Sequence, residues 1–266
     1  LQTMSPTLDG VMNVFTFLGR FEFYLILIPF IYWVISAKLG FRVLLVLLTS
    51  DFLGLTFKQL LHQPRPYWVG DVQALGEETS YGIPSTHASD SLAVWGYLAY
   101  KINKAWLWVA TFLLVLMIGI SRMYLGVHFP TDVIGGWLVG LVAIFLVVKG
   151  EAWFSPYLKK QIPGMLIGIS FLVSIVMLLV GWLVALLIAS SPDPAEWARF
   201  STQARSITYY FSLAGATFGS GAGYTLMRQY ASFQTKGSWA KRAGRYLLGM
   251  CGVLVVYYGL DVLFGL

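Results

Sequence analysis

Eight apolar runs, at about residues 20–37, 42–58, 84–100, 105–122, 131–149, 162–190, 207–227 and 246–265, separated by short polar stretches, set the character of this chain. A straight helix needs roughly 20 apolar residues to cross the hydrocarbon core. The runs therefore predict eight membrane-crossing helices. Some are shorter than that, and polar motifs sit at their ends, which predicts helices that stop inside protein rather than in lipid. Ahead of them, residues 5–19 open on Ser5, Pro6 and Thr7, and Leu8, Val11, Met12, Phe15 and Leu18 then recur at helical spacing. That segment is too short and too polar to span, and reads as an amphipathic helix lying in the interface. The expected fold is all-α, a polytopic helical membrane protein.

Composition removes the soluble alternatives. The 266 residues are 58% hydrophobic and only 11% charged, so each polar group within a span must be paired, wetted or used. The single cysteine, Cys251, rules out an internal disulfide and a cysteine-type metal cluster. A net charge of +6 raises the question of nucleic acid, but the basic residues fall in membrane-flanking loops, which topology explains. The N-terminal residues lack the basic region and small-residue cleavage site of a secretory signal. Lys38, Arg42, Lys101, Lys104, Lys149, Lys159, Lys160, Arg228, Lys236, Lys241, Arg242 and Arg245 lie on one set of connections. Arg20, Lys58, Arg65, Arg122, Arg199 and Arg205 lie on the other. Twelve against six places the first set in the cytoplasm, and loop 59–83 with the 121–132 turn outside a cell (inner or plasma) membrane. Both termini then face outward.

Three parts follow from this pattern. Residues 1–19 form the interfacial helix, residues 20–150 a five-span core, and residues 161–266 an extension of three spans with no motif that assigns it a role. Within the extension, Gly215, Gly219 and Gly223 recur every four residues and predict close helix packing. The basic stretch 229–245 suits anionic headgroups. Asp261 is expected to make an interhelical contact.

Three polar clusters fall on the outer side. In SRMYLGVHFPTD (Ser121–Asp132), His128 and Asp132 are four apart with Pro130 between them. Proline favours the first helical turn, so His128 sits just outside a helix and Asp132 within its first turn, able to reach back to the imidazole. A plain helix cap accounts for this stretch equally well. In KQLLHQPRP (Lys58–Pro66), snorkelling accounts for Lys58, but not for an arginine held between two prolines. Arg65 there offers planar paired donors to an anion. In PSTH (Pro84–His87), Ser85 and Thr86 open a helix whose free N–H groups suit a phosphate, with His87 in the first turn. Lys58, Arg65, Arg122, two histidines, one aspartate and a helix N-terminus thus share one membrane face. Phosphoryl transfer needs fixed cations, a nucleophile and a proton source. The residues leave open whether His87 or His128 is the nucleophile. Carboxylates are too few for a two-metal cage: Asp132 is engaged, and Asp71, Glu77 and Glu78 lie in the loop. No metal or other cofactor is expected. Asp51 and Asp90 read as intramembrane hydrogen-bonding groups, and His62 as a surface residue.

Together these three clusters resemble the three signature motifs of the type 2 phosphatidic acid phosphatase superfamily, over about residues 5–150. That superfamily includes lipid phosphate phosphatases and isoprenyl diphosphate phosphatases. The resemblance implies that His128 attacks phosphorus to give a phosphohistidine and that Asp132 orients it. His87 protonates the leaving group, and Lys58, Arg65, Ser85, Thr86 and Arg122 hold the phosphoryl oxygens. Thr86 departs from the family, which usually has glycine there, and its side chain is expected to crowd the pocket. The implied protein is a metal-independent membrane phosphatase acting on a lipid phosphate or diphosphate at the outer face. A sugar-phosphate phosphatase, or an anion or lipid transporter using the same basic cluster, are the alternatives.

Overall fold

The computed structural model describes the backbone of residues 2–264 except 77 and 232, and side chains as far as Tyr258 with the same exceptions. Glu77 and Asp261 therefore lie outside the described side chains. The order of helices is α1 (Asp9–Phe17), α2 (Phe21–Phe30, continuing as a π-helical turn over Ile31–Ile35), α3 (Ala37–Leu61), α4 (Pro66–Val69), α5 (Thr86–Ile102) and α6 (Ala105–Tyr124). They are followed by α7 (Pro130–Leu158), α8 (Pro163–Ala189), α9 (Ala198–Ala204), α10 (Thr208–Tyr230) and α11 (Trp239–Phe264). Among the described residues there is no strand.

The boundaries follow local chemistry. Ser36 caps α3, its Oγ accepting from Leu39 N at 3.3 Å. Proline occupies the first turn of α4, α7 and α8, where its missing N–H costs nothing. His62 and Asn103 adopt left-handed conformations (φ 33° and 51°) and end α3 and α5. Helix α7 runs to Leu158, past the expected end near 149. Its polar continuation is supported by Glu151, which pairs with Arg42 and lies 3.6 Å from Lys101.

The chain is a multi-pass helical membrane protein. Among the described residues, four segments are long and apolar enough to cross a membrane: Ala37–Val69, Ala105–Tyr124, Pro130–Leu158 and Pro163–Ala189. The pair Asp9–Phe17 and Phe21–Ile35, bent by 51°, makes a fifth if taken as one span. Helix α5 is only 17 residues long and carries Thr86, His87, Ser89, Asp90 and Ser91. It packs against α3, α6 and α7, so those polar groups meet protein rather than lipid. The α5–α7 approach depends on two small residues. A Cβ at Gly136 would collide with the Ser85 carbonyl, and one at Gly140 would lie 2.6 Å from that of Ser89. Ser50 Oγ donates to Asp90 at 2.6 Å, so Asp90 bonds across to α3.

The glycine stripe of α10 does not make the predicted contact. A Cβ at Gly215, Gly219 or Gly223 would meet nothing within 4 Å. The face of α10 that meets α8 carries Tyr210, Ala214, Gly221 and Thr225 instead. Gly181 receives the Tyr210 ring, Gly221 abuts Ser170, and Ser174 Oγ donates to Ala214 O at 2.8 Å. The four-residue glycine spacing marks a neighbouring stripe, and the bulk of Tyr210 decides which face docks.

The ends of α3 and α6 and the starts of α5 and α7 meet at one end of the bundle. The α8–α10 connection folds over the same end. Gln59 Nε2 donates to Ala204 O at 2.6 Å. Trp68 stacks on Phe200 (centroids 5.1 Å apart, 7° between planes) and lies 5.7 Å from Trp197.

Candidate active site

Helix α7 begins with Phe129 as N-cap, which places Asp132 at the third helical position. Asp132 Oδ2 accepts from Phe129 N at 2.9 Å and contacts His128 Nδ1 at 3.1 Å. One carboxylate oxygen thus serves as both helix cap and imidazole partner. On the other edge of the ring, His128 Nε2 lies 3.1 Å from Arg65 Nη1. A guanidinium can only donate and a carboxylate can only accept, so the contacts define the tautomer. Nδ1 carries the proton toward Asp132, and Nε2 presents a lone pair toward Arg65. Burial, with the Arg65 and Lys58 charges nearby, holds His128 well below the ordinary imidazole range, so the ring is neutral.

Arg65 is fully buried in the extended residue before α4. Its Nε donates to Ser80 O at 2.5 Å, Nη1 to Val127 O at 2.8 Å, and Nη2 to Ser80 Oγ at 3.0 Å and Tyr81 O at 3.2 Å. These bonds fix the plane of the guanidinium before any ligand arrives. Lys58, in the last turn of α3, points its Nζ at Tyr81 O (2.7 Å) and Gly82 O (3.1 Å). Arg122, in the last turn of α6, contacts Thr16 Oγ1 of α1 through Nη1 and Glu78 Oε1 through Nη2. Helix α1 thereby reaches the cluster, a link the sequence does not display.

Ser85 occupies the N-cap of α5, yet its side chain makes no capping bond. Its backbone is held instead, Ser85 N donating to Asp132 O at 2.9 Å. Ser85 Oγ, His87 Nε2 and Arg122 Nε are buried and find no hydrogen-bond partner among the described residues. Unmet polar atoms of this kind are costly, and three of them accompany the cluster. The methyl group of Thr86 lies against Gly54 of α3, where a Cβ would approach it to 3.2 Å.

One residue of the cluster was passed over in the sequence. Glu78, in the loop before α5, contacts Arg122 and lies 3.5 Å from Arg65 Nη2. Burial alone would raise its pKa, but Arg122 and Arg65 outweigh that and hold the carboxyl down to about 2. No periodicity marks a loop residue, and nothing in the sequence separates Glu78 from its acidic neighbours. Among the described residues, the cluster sets Lys58, Arg65 and Arg122 against two carboxylates, Asp132 and Glu78. It joins anion-holding donors to a neutral, oriented imidazole.

The family described as PAP2 superfamily matches residues 39–156, a span that contains all three polar clusters. The family described as PAP2 superfamily phosphatase, transmembrane extension, matches residues 211–266. Phosphatidylglycerophosphatase B of Bacillus subtilis (strain 168) is 34% identical over 155 residues, covering 53% of this chain and 74% of the relative. The undecaprenyl-diphosphatase of Sulfolobus acidocaldarius is 29% identical over 150 residues, covering 55% and 72%. Among solved structures, a transmembrane PAP2 type phosphatidylglycerolphosphate phosphatase from Bacillus subtilis is 31% identical, with a TM-score of 0.49 over 56% of this chain and 78% of its own.

Proposed function

This chain belongs to the PAP2 superfamily, and we propose that it removes the terminal phosphate of a lipid phosphate or lipid diphosphate through a phosphohistidine, at the extracytoplasmic face of the cell membrane. It is a membrane phosphatase. The two relatives named above are a phosphatidylglycerophosphatase and an undecaprenyl-diphosphatase, both names of lipid substrates. A site at the end of a membrane bundle also suits a lipid that enters sideways from the bilayer.

The chemistry runs on the residues of the cluster. His128 Nε2 attacks phosphorus as the bond to the leaving oxygen breaks, and His87 protonates that oxygen. Asp132 stabilises the positive charge that grows on the attacking ring. Water then attacks the phosphohistidine with help from His87, releasing phosphate and restoring His128. Lys58, Arg65, Arg122, Ser85 and the Thr86 N–H hold the phosphoryl oxygens, where charge spreads in the transition state. For attack, Arg65 Nη1 must leave the His128 lone pair and turn to a phosphoryl oxygen. The same division as in the sequence is proposed for the parts: an interfacial helix (1–19), a phosphatase core (20–150) and a C-terminal transmembrane extension (161–266).

The observation that carries this reading is the imidazole of His128, held by Asp132 on one edge and facing Arg65 with the other. The test is phosphate release by purified protein in detergent with a metal chelator. The panel is phosphatidate, phosphatidylglycerol phosphate, an isoprenyl diphosphate and glucose 6-phosphate. Release from the lipids, blocked by vanadate and lost in His128→Ala, is expected. Turnover of the sugar phosphate alone, or anion flux that survives His128→Ala, would overturn the proposal.

A further inference from the structure

Glu78 stands where the reading above needs a substrate. Its two carboxylate oxygens straddle two guanidiniums, Oε1 on Arg122 and Oε2 at 3.5 Å from Arg65. Two oxygens of a phosphoryl group would use the same donors. The arginine side chains are at most 2% exposed, whereas that of Glu78 is 21% exposed, so Glu78 is the more accessible partner in both pairs. Its backbone is anchored separately, Tyr67 Oη donating to Glu78 O at 2.7 Å. The side chain can therefore swing out while the loop stays in place.

Resting on the proposed phosphatase reading, we propose that Glu78 is a specificity residue: an internal competitor that only a phosphate dianion displaces. A phosphate monoester or terminal diphosphate brings close to two charges and three oxygens to these donors. A phosphodiester headgroup brings one charge and two oxygens, which is no better than the carboxylate already present. The bilayer around the enzyme is built from phosphodiester lipids, in large excess over any monoester. Without Glu78, the cations would bind those headgroups unproductively. With Glu78, the two guanidiniums are paired in the free enzyme and released to the ligand whose charge exceeds its own. The carboxylate also keeps two buried guanidinium groups from facing each other uncompensated.

Glu78→Gln keeps the shape and removes the charge. In mixed micelles of a lipid monophosphate, the variant is expected to bind vanadate about tenfold more tightly than the wild type, the scale of one charge-assisted hydrogen bond. Added phosphatidylglycerol, a monoanionic diester, is expected to inhibit it at a correspondingly lower mole fraction, with KM affected more than kcat. Glu78→Asp, charged but shorter, should fall between the two. Unchanged vanadate affinity together with unchanged diester inhibition would overturn the inference. Because Glu78→Gln can lose stability, the same comparison is made by vanadate-induced thermal shift in a His128→Ala background. That readout needs folded protein and no turnover. A wild type that binds vanadate but releases no phosphate would sink the phosphatase reading and leave the role of Glu78 to be read from anion affinity alone.

Discussion

An imidazole that attacks phosphorus must be neutral and fixed in one tautomer, and His128 meets both conditions through its neighbours. The consequences appear in stability against pH. The folded Glu78 carboxyl sits at about 2 against an ordinary value of 4.5, so its contribution is full above 4.5 and is lost as pH falls toward 2. His128 is held neutral in the fold, whereas the unfolded imidazole takes a proton below about 6.5. Acid therefore favours the unfolded chain at both residues. Thermal unfolding of the purified protein should fall in midpoint below pH 6.5 and more steeply below 4.5. Glu78→Gln should remove the lower limb and keep the upper one; a lower limb unchanged in that variant would contradict the assignment. At this scale the sequence was readable where a helix imposes spacing. The four residues from His128 to Asp132, with proline at the first helical turn, were enough to place the carboxylate against the ring. Glu78 lies in a loop, where position follows from long-range pairing with Arg65 and Arg122.

Among the elements, the short helix α9 has the clearest influence on the cluster. Trp197, just before it, is buried against Trp68 and Tyr81. Tyr81 Oη donates to Asp193 at 2.8 Å, and Arg205 Nε donates to the same carboxylate oxygen at 2.6 Å. The Tyr81 carbonyl in turn holds Lys58 and Arg65. The α8–α10 connection thus braces the loop that orients two of the cations. Trp197→Ala should lower stability by about 3 kcal/mol, as loss of a buried aromatic does. It should also raise KM several-fold with a smaller change in kcat, and Trp197→Phe should restore most of both. A thermal shift without kinetic change would reduce α9 to packing. Neither α4 nor α9 was foreseen, because four and seven residues are too few to carry a helical period. The small-residue rule was applied to the wrong helix. A Cβ on the α10 stripe would meet no described atom within 4 Å, while Gly136 and Gly140 of α7, which do admit α5, lie in a run that reads simply as apolar.

For the whole molecule, the orientation proposed from charge bias is one that chemical labelling can check. With Cys251 replaced by serine, a cysteine at Gln73, an exposed residue beside the cluster, should react with a membrane-impermeant maleimide in intact cells. One at Asn103, at the opposite end of α5, should react only after permeabilisation. The reverse pattern would turn the cluster toward the cytoplasm. The succession of long helices was legible because each apolar run has polar ends. What lies across the bundle end was not, since Gln59 and Ala204, or Arg122 and Thr16, meet across more than a hundred residues of chain. The Thr86 methyl against Gly54 has a separate consequence. The two positions share one small volume: a methyl on α5 fits because α3 contributes none. A side chain at residue 54 would press on the Thr86 methyl from 3.2 Å, so a change on the neighbouring helix would be felt at the start of α5, in the proposed phosphate cradle. Positions 54 and 86 therefore make one steric unit, and substitutions at either have meaning only as a pair.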